Sequence, residues 1–350
     1  MRSEEKIAGF CAQFLKDRGF TVSIQKVENA PPYLIAERRA RDQAAPTVLF
    51  LTHYDGPSEA GGDRAKPRVD EATGVITGSG IASKAMVLAI AAAVEKAQQS
   101  VSYHVRMLVE GEGSSRSSSL PSFVAKNPHL LDCRTVIAFH GTTTPAAMTV
   151  ALAARGVLEV HMRAHPRPGP PEEAVLRPDP VVALTRAVAD LAAVPHQNRL
   201  TFLQKVHLPM LDQRLVTEPS LECQYRDLGC VLRMHLVPGQ TIQRVREALR
   251  EIIAQRSREV PLSSTEIEPS HSPWHVDPAS AEVKPFITAL QKSFQELRWR
   301  VLEKPLECLS PFLGERGIVV LSESDCSAHQ ISLAYLQKLI KALGECLSVR

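Results

Sequence analysis

The stretch Thr47 to Thr52 (TVLFLT) is a continuous apolar run of strand length. A strand that alternates apolar and polar residues covers one face of a sheet. A continuous run has to be covered on both faces, which is the condition of a strand inside a parallel sheet with helices on either side. The run stops at His53, Tyr54 and Asp55. In sheets of this kind ligands gather beyond the carboxyl ends of the strands, so the polar residues closing the run are candidate site residues from the outset.

The flanking sequence supports the same architecture. Ile7, Phe10, Cys11, Phe14 and Leu15 fall at helical spacing within residues 3–18, and Gly19 follows as a C-terminal glycine should. Extended stretches follow at residues 21–27 and 33–37. After TVLFLT comes a glycine-rich, charged loop, then Val75 and Ile76, the turn Gly78 to Gly80, and an alanine-rich helix over 81–98. A strand at 104–110, a short helix at 120–126 and a strand at 133–139, ending at His140, continue the alternation. Past Gly156 the texture changes to a strand at 157–164, a proline-rich loop, a helix at 179–193, a strand at 230–236, a helix at 241–256 and a strand at 264–268. That set is enough for a small α+β domain with an antiparallel sheet. A helix at 280–297, a strand at 318–321 and a helix at 331–347 then resume the first texture. The expected fold is an α/β domain with a mostly parallel sheet flanked by helices, from residues 1–154 and 270–350. An α+β domain at 155–269 is inserted into it.

Composition removes several function classes. Lys and Arg total 41 against 38 Asp and Glu, a net charge of +3, which gives no global electrostatic case for nucleic acid. No apolar run is long enough to span a bilayer, and acidic residues stand where a secretory signal would be hydrophobic, so the expectation is a cytoplasmic protein without a membrane partner. The seven cysteines are scattered and odd in number, without a Cys-x-x-Cys pair, and indicate neither a disulfide framework nor a thiolate zinc site.

Three clusters carry possible chemistry. His53 and Asp55 share one side of a strand end, as a metal-ligating imidazole and the carboxylate that orients it, or as a plain hydrogen-bonded pair. Glu112, in VEGEGSS just past a strand, has the position of a general base or of a solvated acidic turn. His329, immediately before the last helix, points into a cleft or serves as a cap. Beyond these, His161 and His165 have the spacing of one strand face, and Lys84 opens a helix from which it could pair with Glu112.

The order and spacing of these segments resemble the M20 metallopeptidase family, which includes aminoacylases, dipeptidases and carboxypeptidases. VLFLTHYDG resembles its His-x-Asp metal strand, GVITGSGIASKAM its glycine turn leading to a bridging aspartate, and RMLVEGEGSS its paired-glutamate segment. CVLRMHLVPGQT is similar to its lid strand, and SAHQIS to its C-terminal histidine motif. The resemblance implies that His53 is a metal ligand, Asp55 its supporting carboxylate, Glu112 the general base and His329 the last ligand. It further implies that His165 is a lid histidine polarising the scissile carbonyl across a homodimer. The departures are equally specific. The bridging aspartate falls on Ser83 or its neighbours Ala82 and Lys84, the second glutamate on Gly113, a further aspartate ligand at about His140, and the lid arginine on His235.

Two divalent ions a few ångströms apart need carboxylate charge between them. The imidazoles His53, His140 and His329 could hold at most one zinc with a position left open for water, and a pocket without metal is equally consistent. The expected function is hydrolysis of an amide in an N-acyl amino acid or short peptide. The alternatives are a non-hydrolytic protein binding a peptide-like ligand and a repurposed amide-forming enzyme.

Overall fold

The computed structural model describes residues 3–28, 30–55, 67–97, 100–112, 119–140, 147–166, 179–192, 206–258, 260–303, 313–321 and 330–348. Among them the chain forms two compact units. One comprises Met1–Leu152, Val276–Arg300 and Pro311–Arg350; the other comprises Ala153–His275 and Val301–Ser310.

In the first unit, α1 (Ser3–Lys16) buries Ala8, Cys11, Ala12 and Leu15, the one face that helical spacing allows. Gly19, at φ 77°, ends that helix in the left-handed region. The sheet is built from β1 (Thr21–Val27), β2 (Ala30–Arg38), β3 (Thr47–His53), β6 (His104–Glu110), β7 (Thr135–His140), β8 (Ala147–Ala154) and β15 (Gly317–Leu321), in the order β1-β2-β6-β3-β7-β15-β8. The four central strands β6, β3, β7 and β15 run parallel, whereas β1, β2 and β8 are antiparallel to their neighbours. Val48 to Phe50 are fully buried, as a strand covered on both faces requires. The covering helices include α2 (Ile81–Ala97), α7 (Lys284–Ser293) and α8 (Leu333–Leu347). A small separate sheet joins β4 (Arg68–Asp70), β5 (Val75–Thr77) and β16 (Gln330–Ser332) in the order β16-β5-β4.

The second unit holds an antiparallel sheet of β10 (Ser220–Arg226), β11 (Gly229–Leu236), β9 (Gly156–Ala164) and β12 (Leu262–His271), in that order. Leu158, Val160, Met162 and Ala164 of β9 point alternately to one face. There they join Leu184 and Ala187 of α4 (Pro180–Ala192) and Leu249 of α6 (Ile242–Arg256) in one buried cluster. The chain is thus α/β with a sheet parallel at its centre, plus a smaller antiparallel α+β unit.

Several elements depart from their sequence pattern. The single helix expected over 280–297 is α7 followed by β14 (Glu296–Leu302), because Phe294 turns extended (φ −111°, ψ 136°) and buries its ring. Beyond it ELRWRVL alternates exposed and covered positions as a strand does. Further elements lie in stretches assigned no helix or strand, among them β4, β8 with the alanine-rich sequence AMTVALAA, β10, and α5 (Met210–Thr217). No helix among the described residues is long and apolar enough to cross a membrane.

Candidate active site

The site starts from the end of β3. His53 pairs in register with Glu110 at the end of β6, and Tyr54 sits between His53 and Asp55 as an anchor. The Tyr54 ring is fully buried, its hydroxyl donates to Pro32 O at 2.7 Å, and its N–H donates to Glu110 O at 2.9 Å. Burial pushes the Tyr54 phenol well above its ordinary range, with the Asp55 carboxylate adding to the shift, so it stays protonated. With Tyr54 fixed inward, the residues on either side of it meet. Asp55 Oδ1 lies 2.8 Å from His53 Nδ1, and the two side chains are 11% and 10% exposed.

The other imidazole nitrogen is also engaged. Ser83 Oγ lies 3.2 Å from His53 Nε2. An ionised carboxylate only accepts, so Nδ1 donates its proton to Asp55, and in that tautomer Nε2 is the nitrogen that faces the Ser83 hydroxyl. Ser83 comes from the first turn of α2, which enters through Gly80 at φ 57°. Serines in helices commonly bond back to the carbonyl four residues earlier. Here the Lys84 ammonium donates to that carbonyl, Ser79 O, at 2.7 Å, and the Ser83 hydroxyl turns to His53.

Glu112 lies two residues past the end of β6. Its Oε2 accepts from Ser119 Oγ at 2.8 Å and Ser119 N at 3.3 Å, and Ser119 Oγ is 2.8 Å from the Tyr33 hydroxyl. The buried Cys11 thiol is pushed up to about 11 by desolvation, with Lys84 opposing, which leaves it a neutral core residue.

His140 ends β7 opposite Leu321 of β15, on the strand next to β3; its side chain lies outside the described residues. Gly113 and His329 also lie outside them. In the second unit His165 stands one residue past β9, exposed, with Nε2 2.7 Å from Ser263 Oγ and its N–H donating to Pro261 O at 2.8 Å. It therefore does not share β9 with His161. His235 Nε2 lies 3.1 Å from Glu222 Oε1.

Of the residues singled out in the sequence, the structure joins His53, Asp55 and Ser83 by hydrogen bonds. The role of Ser83 as a partner of His53, beyond being the residue where a carboxylate is missing, carries no signal in the chain. Among the described residues no group of three or more His, Cys, Asp or Glu side chains able to hold a metal occurs, and the His53 nitrogen that would face an ion has the Ser83 hydroxyl 3.2 Å away.

No family model matches the sequence, and no curated protein does. Solved structures do. An M20 family metallo-carboxypeptidase from Sulfolobus solfataricus matches with a TM-score of 0.64 at 17% identity, covering 99% of this chain and 94% of that one. Human carnosine dipeptidase 1 matches with a TM-score of 0.59 at 15% identity, over 99% and 91%. A dinuclear metal binding peptidase of the M20 family from Bacillus subtilis matches with a TM-score of 0.60 at 11% identity, over 99% and 92%. Across its whole length, this chain has the fold of the M20 metallopeptidases.

Proposed function

We propose that this protein is an amide hydrolase of the M20 type, acting on an N-acyl amino acid or a short peptide and carrying at most one divalent ion per chain. The observation that carries the reading is the His53–Asp55 pair at the carboxyl end of a central parallel strand, within a fold whose solved examples include a carboxypeptidase and a dipeptidase. In this reading Glu112 takes the proton of an attacking water. The 155–269 region serves as a lid through which two chains pair, and His165 donates to the developing oxyanion at the site of the partner subunit. His140 and His329 are the remaining imidazoles available to a single zinc. The His53 nitrogen that would face such an ion lies 3.2 Å from the Ser83 hydroxyl.

A second reading, a protein that binds a peptide-like ligand or forms amides without hydrolysing them, is favoured by that same serine where a bridging carboxylate would stand. Turnover separates the two. A panel of N-acyl amino acids and dipeptides, assayed with zinc, with manganese and with no added metal, should contain a substrate; no turnover on any of them moves the assignment to the second reading. His165→Ala should cut turnover by about a hundredfold or more, as removal of an oxyanion donor does, with the dimer mass unchanged in solution. Turnover unaffected by both His165→Ala and Glu112→Gln contradicts the mechanism. Elemental analysis of protein purified without chelator should find no more than one divalent ion per chain, and two equivalents would overturn the ligand assignment.

A further inference from the structure

We propose that Ser83, His53 and Asp55 form an acyl-transfer triad in which Ser83 is the nucleophile. The proposal rests on the amide-hydrolase reading and changes what attacks first, a serine hydroxyl in place of water, and which group takes the proton, His53 in place of Glu112. An activated hydroxyl needs a base within hydrogen-bond reach and a third group that orients the base. Here Ser83 Oγ is 3.2 Å from His53 Nε2, and His53 Nδ1 is 2.8 Å from Asp55 Oδ1. The tautomer that Asp55 imposes is the one in which Nε2 can take a proton. His53 and Asp55 each keep about a tenth of their side-chain surface exposed, and Ser83 beside them is 6% exposed. Ser83 also belongs to the first turn of α2, where the Ile81 and Lys84 N–H groups donate to Gly78 O and Gly80 O and the positive end of the helix dipole favours negative charge.

The reaction balances with water as the only co-reactant. The Ser83 oxygen bonds to the amide carbonyl carbon while its proton passes to His53 Nε2. His53 gives that proton to the leaving nitrogen as the C–N bond breaks, leaving an ester on Ser83 and a free amine. Water then attacks the ester carbon, losing a proton to His53. That proton returns to the Ser83 oxygen as the C–O bond breaks and the acid departs.

The test uses the full chain and a fluorophosphonate, which phosphonylates activated serines with loss of fluoride, read by intact mass and peptide mapping. One adduct per chain is expected, on Ser83 and absent from Ser83→Ala. It should form at least ~100-fold more slowly in His53→Gln, in keeping with loss of a triad base. If His53→Gln does not fold, Asp55→Asn replaces it with the same expectation. No adduct on Ser83, or an adduct formed equally fast in these variants, overturns the triad. If Ser83→Ala hydrolyses a panel substrate at the wild-type rate, the triad fails and the hydrolase reading stands. If Ser83 is labelled in a His53-dependent way and no panel member is hydrolysed, the triad stands and the substrate class fails.

Discussion

Asp55→Asn is expected to lower turnover by roughly 10³ to 10⁴-fold, the size of effect seen when the orienting carboxylate of a Ser-His-Asp site is replaced by its amide. The amide is isosteric and keeps a hydrogen bond to the ring, so the fold should be little changed. What changes is which ring nitrogen holds the proton. Asparagine can present its NH₂ to Nδ1, the proton moves to Nε2, and the nitrogen 3.2 Å from Ser83 Oγ becomes a donor that cannot accept the serine's proton. Steady-state kinetics on the best panel substrate, with the denaturation midpoint measured in parallel, provides the check. A loss of turnover matched by an equal loss of stability would assign Asp55 a structural role.

A large stability effect is expected at Gly111. A Cβ there would lie 2.5 Å from both Pro31 Cβ and the Tyr54 hydroxyl oxygen, and 2.7 Å from Tyr54 Cζ. Tyr54 is fully buried and cannot swing away, and displacing it would break its 2.7 Å bond to Pro32 O. Gly111→Ala should therefore cost about 1–3 kcal/mol from overpacking. Leaving the buried phenol unpaired adds about 1–3 kcal/mol more. Because Tyr54 sets the spacing of His53 and Asp55, labelling of Ser83 should slow in the same variant. The same substitution at Gly9, inside α1, meets nothing within 4 Å and should have the opposite sign, since alanine is the better helix former by about 1 kcal/mol. Chemical denaturation of the three proteins measures both effects.

The centre of the fold was legible because it is written locally. TVLFLT announces burial on both faces, and the strand–helix alternation around it announces the parallel arrangement. The same holds for β9, whose alternating pattern reads directly as one face on a core. Where local signals compete, the reading failed. AMTVALAA has the composition of a helix and becomes β8 because β15 offers it a partner across a large sequence separation. The 280–297 stretch is helical only as far as Ser293, where the need to bury Phe294 takes over. His53 and Asp55 could be paired from their spacing alone. The bond from Ser83 could not, because it depends on how α2 docks against the end of β3 and on Lys84 occupying the Ser79 carbonyl. Hydrogen bonds between segments far apart in the chain leave no periodic trace in it.

The position of β15 bears on how the protein is made. β7 and β8 follow one another in the chain, yet the strand that lies between them is Gly317–Leu321, parallel to β7 and antiparallel to β8. As the polypeptide emerges from its amino end, β3, β6 and β7 can associate early, with one edge of β7 left open until residues 317–321 are available. Such long-range closure slows folding, and an uncovered strand edge recruits other chains while it waits. The order of the strands thus ties completion of the sheet beside His140 to the arrival of a distant segment, and makes the nascent chain dependent on protection against aggregation during that interval.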